Sequence, residues 1–353
     1  MHSSPVSPQI QSISTSHLVS LVGAGPGDPG LLTSRGRERL LVCDCLIYDY
    51  LVNPDIVALA PAHAERHYVG KRGRQTSISQ EEINRLLVRS GQRHRRVVRL
   101  KGGDPFLFGR GGEEAVALAH AGLPFEIVPG VTSGIGAPAY AGIPVTHRAA
   151  SSAVVLVTGH QQHLPGEPEP PFAWSSIAQV ETIVLYMGMH RLAENCAALI
   201  AAGRAAETPA AIIQWGTLPH QRVVTATLAD LPARAAAAGL GAPAITVIGE
   251  VVRFREEIRW FDHPERHPLF GKRILVTRAR EQASALTDGL RAHGAAVLEA
   301  DWQVVPGNPA LPARRDRASV HAAGPVATDA DVVALVRAVL GQLADRIDVA
   351  GLR

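Results

Sequence analysis

Three short apolar runs, at residues 18–22, 97–100 and 125–128, each stop at a loop of glycine, proline and small polar residues, after which a helical pattern begins. The loops are Gly23-Ala24-Gly25-Pro26-Gly27-Asp28-Pro29-Gly30, Lys101-Gly102-Gly103-Asp104-Pro105-Phe106 and Pro129-Gly130-Val131-Thr132-Ser133-Gly134-Ile135-Gly136. Strand, small-residue loop and helix in repeated alternation predict an α/β unit with a largely parallel sheet. In an open α/β sheet, ligands bind beyond the carboxyl ends of the strands, so the three loops are expected to converge on one cavity. Glycine in such a loop lets a ligand touch the backbone. The plainer reading of any single loop is a tight turn.

Further elements follow the same logic. A helical stretch over 33–42 precedes a strand at 46–48 that ends at Asp49. Ser79-Gln80-Glu81-Glu82 is a capping box that opens a helix with Ile83, Leu86 and Leu87 on one face. A helix from Gly112 stops at Gly122, a natural C′ residue, and another is expected near 133–141. After Thr146-His147-Arg148 the pattern restarts, with strands at 153–157, 182–187, 210–215, 222–228 and 244–248 and helices near 190–202 and 228–238. The proline-rich segment 160–171 reads as an exposed loop. At about 150 residues per domain, 353 residues hold two or three domains. The expected division is a disordered tail at 1–17, α/β units at 18–148 and 149–265, and a remainder at 266–353.

The first loop fits G-x-G-x-x-G, and Asp49 lies 19 residues beyond Gly30 at the end of the next strand, as in a dinucleotide site. The physics argues against that reading. Pro26 and Pro29 remove two of the N–H donors that a pyrophosphate needs, and Asp28 sets a carboxylate where phosphate charge would sit. A neutral or cationic ligand suits the loop better.

Charge and composition exclude other classes. A net charge of +3, from 35 basic and 32 acidic residues, is too balanced for a general nucleic-acid binder. Basic clusters at 71–74 and 93–101 are either solvated faces or places for an acidic ligand. No run approaches the ~18 apolar residues of a membrane span, and residues 1–17 lack the features of a secretory signal. Cys43, Cys45 and Cys196 are too few for a disulfide framework or a four-cysteine zinc site, and Cys43 and Cys45 read as packed thiols. A soluble cytoplasmic protein without a metal is expected.

Several longer motifs carry a resemblance. They are Val22-Gly23-Ala24-Gly25-Pro26-Gly27-Asp28-Pro29, Tyr48-Asp49, Val69-Gly70-Lys71-Arg72, Arg99-Leu100-Lys101-Gly102-Gly103-Asp104-Pro105, Phe108-Gly109-Arg110-Gly111-Gly112-Glu113-Glu114 and Val128-Pro129-Gly130-Val131-Thr132-Ser133. In this order and register, continued by Gly142-Ile143-Pro144-Val145-Thr146-His147-Arg148, Val157-Thr158-Gly159-His160 and Tyr186-Met187-Gly188, they resemble the tetrapyrrole methylase family over residues 18–263. The resemblance implies a two-domain α/β fold with the active site in the interdomain cleft, and a homodimer. It implies S-adenosylmethionine as methyl donor, leaving S-adenosylhomocysteine. The implied acceptor is uroporphyrinogen III, methylated at C2 and C7 to precorrin-2 for sirohaem or cobalamin.

Carried onto this sequence, the donor site falls on Pro26, Gly102, Gly103, Asp104, Leu107, Thr132, Ser133, Met187 and Gly216. Proton acceptor and donor roles fall on Asp49 and Lys71, with Arg110 beside them. Arg99, Arg110, Glu113 and Arg148 fall around the acceptor, whose carboxylates suit arginine forks. Read alone, Asp49 is equally a turn residue, Lys71 a surface lysine, Arg99 a structural ion pair and Met187 a core methionine. The sequence departs from the family at Leu107, where Ile is common, a volume-conserving change, and at Tyr50, where Arg or Ala is common. From residue 268, Gly271-Lys272-Arg273-Ile274-Leu275-Val276-Thr277-Arg278 resembles the opening of uroporphyrinogen-III synthase. Only 86 residues follow His267, too few for that two-domain enzyme, so a fragment without synthase activity is expected. A helical pattern at 329–343 closes the chain.

Overall fold

The computed structural model describes residues 17–70, 78–159, 174–276, 280–302 and 318–321. The first sheet is built from β1 (Leu18–Gly23), β2 (Cys45–Tyr48), β3 (Glu65–Tyr68), β4 (Arg96–Lys101) and β5 (Phe125–Val128), in the order β3-β2-β4-β1-β5. Every pairing in it is parallel. The intervening helices are α1 (Ser34–Leu41), α2 (Pro54–Val57), α3 (Gln80–Arg93) and α4 (Gly111–His120), and α5 (Ser133–Tyr140) follows β5. Both faces are covered, as a parallel sheet requires. Val22, Leu46, Val98 and Leu100 pack with Leu40 of α1 and Ile56 of α2 on one side. Val19, Leu21, Ile47 and Val97 pack with Ile83 and Leu87 of α3 and Leu118 of α4 on the other.

The capping box forms as read: Ser79 Oγ accepts the Glu82 N–H at 3.2 Å, and the Ser79 N–H donates to Glu82 Oε2 at 2.8 Å. β1 and β4 lie side by side, yet the chain leaves β1 towards β2 on one side and leaves β4 towards β5 on the other. That reversal opens a crevice at their carboxyl ends.

The second sheet comprises β6 (Val154–Thr158), β7 (Thr182–Tyr186), β8 (Pro209–Gln214), β9 (Arg222–Thr227) and β10 (Ala244–Ile248), ordered β6-β7-β10-β8-β9. Only β6 and β7 run parallel; the other three pairings are antiparallel. Its helices are α6 (Trp174–Ile177), α7 (Leu192–Ala201), α8 (Leu231–Ala237) and α9 (Arg255–Ile258). Ile183, Leu185 and Ile212 pack with Leu199 of α7 and Leu231 of α8. The opposite face, with Val184, Ile213 and Val247, packs with Ala137 of α5 and with Ala141 just beyond it. The helix that opens from the third loop of the first unit thus belongs to the core of the second. Its small residues permit the approach: a Cβ on Gly134 would lie 2.2 Å from the Tyr186 hydroxyl.

A third sheet holds β11 (Arg273–Val276), β12 (Ala296–Trp302) and β13 (Ala318–His321), with α10 (Arg280–Ala292) between its parallel first pair. From residue 273 the chain thus runs strand, helix, strand, with Val276, Ala295 and Val297 at the centre. The proline-rich segment 160–171, the pattern at 329–343 and residues 1–16 of the tail lie outside the described residues. Among the described residues, no helix is long and apolar enough to cross a membrane.

Candidate functional site

The three glycine loops meet, and they do so through backbone. Gly25 and Gly103 exchange hydrogen bonds, N–H to carbonyl, at 3.1 and 2.7 Å. A Cβ on Gly23 would sit 2.6 Å from Gly103 O and from Gly130 Cα, and one on Gly130 would sit 2.3 Å from Gly103 O. These glycines let the loops touch one another. Gly103 is different: at φ +68° its missing Cβ would meet nothing nearer than Ser133 N at 3.7 Å and Thr132 Cα at 3.9 Å. The buried Gly103 thus marks the seam between the second and third loops, flanked by the partly exposed Gly102 and Asp104.

Acidic side chains lock the loops. Asp104 accepts the N–H groups of Phe106 (2.8 Å) and Leu107 (3.1 Å) on one oxygen and that of Gly130 (3.0 Å) on the other. Asp28 accepts the Gly30 N–H and the Tyr140 hydroxyl at 2.8 and 2.6 Å, and its own N–H donates to Thr217 Oγ1 at 3.0 Å. Burial and this carboxylate push the Tyr140 phenol up. Both carboxylates are engaged in holding chain to chain.

Segments of the second sheet close the same seam. Tyr186, last in β7, lies against Thr132 and Gly134, its oxygen 2.7 Å from Thr132 Oγ1 and accepting the Gly134 N–H at 2.7 Å. Met187 follows at once, 53% exposed, so it is a surface methionine beside the loops rather than a core one. Gly216 follows β8, where a Cβ would lie 2.3 Å from that of Ala137, and Pro26 packs on Gly136. Leu107 packs with Tyr186 and Ala137. Among the described residues, five non-glycine residues have left-handed backbone: Phe108, Arg110, Met187, Trp215 and Thr217. All five stand in the loops around this seam. Strain of this kind, about 1–3 kcal/mol per residue, persists only where the surroundings impose it, and it clusters at functional sites.

Asp49 directly follows β2, at the carboxyl end of the first sheet. Its Oδ1 accepts the Leu51 N–H at 3.2 Å, and its Oδ2 lies 3.5 Å from Arg99 Nη2. Leu51 packs over Gly102, and Tyr50 meets the Trp215 ring edge-on, so Asp49 is carried to the glycine loops. Arg99 does not face outward as the acceptor reading requires. It is 3% exposed, on the α3/α4 face of β4, with Nε 3.1 Å from Glu114 Oε1 and Nη1 donating to the Leu100 carbonyl. Its guanidinium is consumed inside the protein.

Arg110 is exposed and forks onto Glu113, with both hydrogen bonds at 2.8 Å. That fork holds the Glu113 carboxyl below its ordinary range and the Arg110 guanidinium above its own. Arg148 is exposed on the turn closed by the Ser151 N–H to the His147 carbonyl, and no hydrogen bond or ion pair among the described residues joins it to the other site residues. Lys71 lies outside the described residues.

Glu114 and Tyr186 stand inside motifs that the resemblance quotes without giving them a role, and Trp215 closes an expected strand at 210–215. Glu114 had a signal: Gly111, Ala115 and Leu118 place it, and not Glu113, on the buried face of α4. The three cysteines are buried, and burial pushes each thiol up to about 11. A separate hollow of about 940 Å³, lined by Glu207, Arg234, Val252, Arg255, Arg259 and His263 among others, includes no residue of the glycine loops.

Residues 18–232 match the model of the tetrapyrrole (corrin/porphyrin) methylases. A siroheme synthase of Azotobacter vinelandii is 52% identical over 244 residues, which is 69% of this chain and 52% of that one. One from Pseudomonas putida strain W619 is 50% identical over 245 residues, with the same shares. The chain therefore spans about half the length of the curated relatives it matches. Among solved structures, the uroporphyrin-III C-methyl transferase of Thermus thermophilus complexed with S-adenosyl homocysteine is 41% identical at a TM-score of 0.56, covering 67% of this chain and 98% of that one. A cobalt precorrin-4 methyltransferase is 28% identical at a TM-score of 0.60, covering 67% and 97%.

Proposed function

Because this chain belongs to the tetrapyrrole methylase family, we propose that it methylates uroporphyrinogen III at C2 and then C7, using S-adenosylmethionine and yielding precorrin-2. The observation that carries the reading is the convergence of three interlocked glycine loops and five strained residues on one seam at Gly103. The residues there fit a cationic donor: Asp28 and Asp104 set two carboxylates within the loops, and the exposed Met187 offers an adaptable apolar wall. Pro26, Gly102, Gly103, Asp104, Leu107, Thr132, Ser133, Met187 and Gly216 would hold it, largely through backbone.

When bound, the donor supplies an electrophilic methyl group that a pyrrole carbon displaces in line. The protein's part is to hold that carbon in near-attack geometry, which can be worth ~7–11 kcal/mol. Asp49, fixed at the loop edge, takes the proton that the alkylated ring releases. Lys71 is the proposed proton donor. Arg110, with Glu113 orienting its fork, and Arg148 receive acceptor carboxylates. We further assign the residues to units 18–148, 149–265 and 266–353, and propose a cytoplasmic homodimer.

The test is anaerobic incubation with methyl-labelled S-adenosylmethionine and uroporphyrinogen III. The expected product carries two labelled methyl groups; folded, donor-binding protein that labels nothing refutes the proposal. The division of the site has its own test. Asp104→Ala unlatches three backbone N–H groups at ~1–3 kcal/mol for an unsatisfied group, so donor Kd should rise about tenfold or more. Arg148→Ala should instead raise the acceptor KM with donor Kd unchanged. Calorimetry and initial rates separate the two, and equal effects on both ligands would contradict the assignment.

A further inference from the structure

β4 carries Val97, Arg99 and Lys101 on one face, and the two cations occupy positions where a buried parallel strand ordinarily has apolar side chains. Both converge on Glu114 of α4, which is fully buried. Arg99 Nε and Lys101 Nζ lie 3.1 and 2.9 Å from the same oxygen, Oε1. The other oxygen, Oε2, is buried without a hydrogen-bond partner. Burial, and Arg99 beside it, pull the Lys101 ammonium below its ordinary value. Two buried cations on one carboxylate leave one positive charge in surplus, an arrangement that is costly in a low-dielectric interior. The nearest further anion is Asp49, whose Oδ2 faces Arg99 Nη2 at 3.5 Å. With Asp49 ionised, the four charges sum to zero.

We infer that Glu114 is a positioning residue for the methyl-transfer reaction. It anchors Arg99, and through Arg99 it fixes Asp49 as an oriented carboxylate at the loop edge. Glu114 touches no ligand in this arrangement; it acts one residue removed. Arg99 is thereby the link and not an acceptor contact. The inference rests on the proposed role of Asp49, and it assigns a task to buried charges that the donor and acceptor sites leave unused.

The experiment is a double-variant cycle on the full chain. Glu114→Gln should lower kcat by roughly ten- to a hundredfold while donor affinity stays within about twofold. Glu114→Gln combined with Asp49→Asn should be no slower than Asp49→Asn alone, because the positioned carboxylate is already gone. A merely structural Glu114 would multiply the two losses, and that result overturns the inference alone. Full kcat in Asp49→Asn overturns both the inference and the reading beneath it. Should Glu114→Gln fail to fold, Arg99→Lys takes its place. It keeps the charge but cannot span Glu114 and Asp49, and the same non-multiplying pattern is expected.

Discussion

Asp49→Asn is expected to lower kcat by about 10²- to 10⁴-fold, the usual contribution of a positioned acid or base. Asparagine matches aspartate in shape and can still accept the Leu51 N–H, so the loop edge should keep its form. What disappears is the proposed proton acceptor and the charge opposite Arg99. Donor affinity should stay within a factor of about two, because Asp49 only borders the loops that would hold it. Rapid-quench rates and donor titrations measure the two effects separately. A variant that transfers methyl groups at near wild-type rate would remove Asp49 from the chemistry.

Gly130→Ala is expected to unseat the donor loops altogether. The added methyl would lie 2.3 Å from the Gly103 carbonyl oxygen and 2.8 Å from Gly23 Cα, and neither is a side chain that can swing away. Forced overpacking costs about 1–3 kcal/mol, and a domain of about 150–250 residues loses roughly 2–4 °C in Tm for each kcal/mol. The larger effect falls on binding, since the Gly25–Gly103 pairing and the Asp104–Gly130 latch share that space. Donor binding should fall below detection while the fold survives with a lowered Tm. Gly112→Ala is the matched control: nothing lies within 4 Å of its missing Cβ, and alanine favours the helix. A Gly130→Ala protein with wild-type Tm and donor affinity would show that the loops do not interlock.

Much of the first sheet is legible in the sequence because β1, β4 and β5 run into glycine loops and β2 is a short apolar run that stops at Asp49. β3 is the exception. Glu65-Arg66-His67-Tyr68 has no apolar pattern, and it is a strand only because its backbone pairs with β2 at the sheet edge. In the second unit the strands are readable one by one, but their antiparallel order is not, since it depends on partners distant in the chain. α5 follows the first sheet in sequence and packs on the second in space, a placement set by Tyr186 and the gap that Gly134 leaves for it.

The site divides in the same way. The glycine loops announce themselves, and so does their rejection of a pyrophosphate. Arg99 stands among the acceptor residues only through the resemblance; read alone it is a structural ion pair, and its partner, Glu114, comes from a helix 15 residues on. Left-handed backbone at Phe108, Met187 or Trp215 has no signature at all, because bulky residues at positive φ are placed there by their surroundings and not by their own preference.

Where the donor sits can be tested without altering the protein. Ultraviolet irradiation of the full chain with methyl-labelled S-adenosylmethionine, followed by peptide mapping, reports the residues in direct contact with it. Label is predicted on peptides containing 101–108, 129–134, 186–188 or 215–217, and an excess of S-adenosylhomocysteine should abolish it. Label confined to the hollow lined by Arg234, Arg255 and His263, or label that the homocysteine analogue does not displace, would contradict a donor site at the meeting of the three loops.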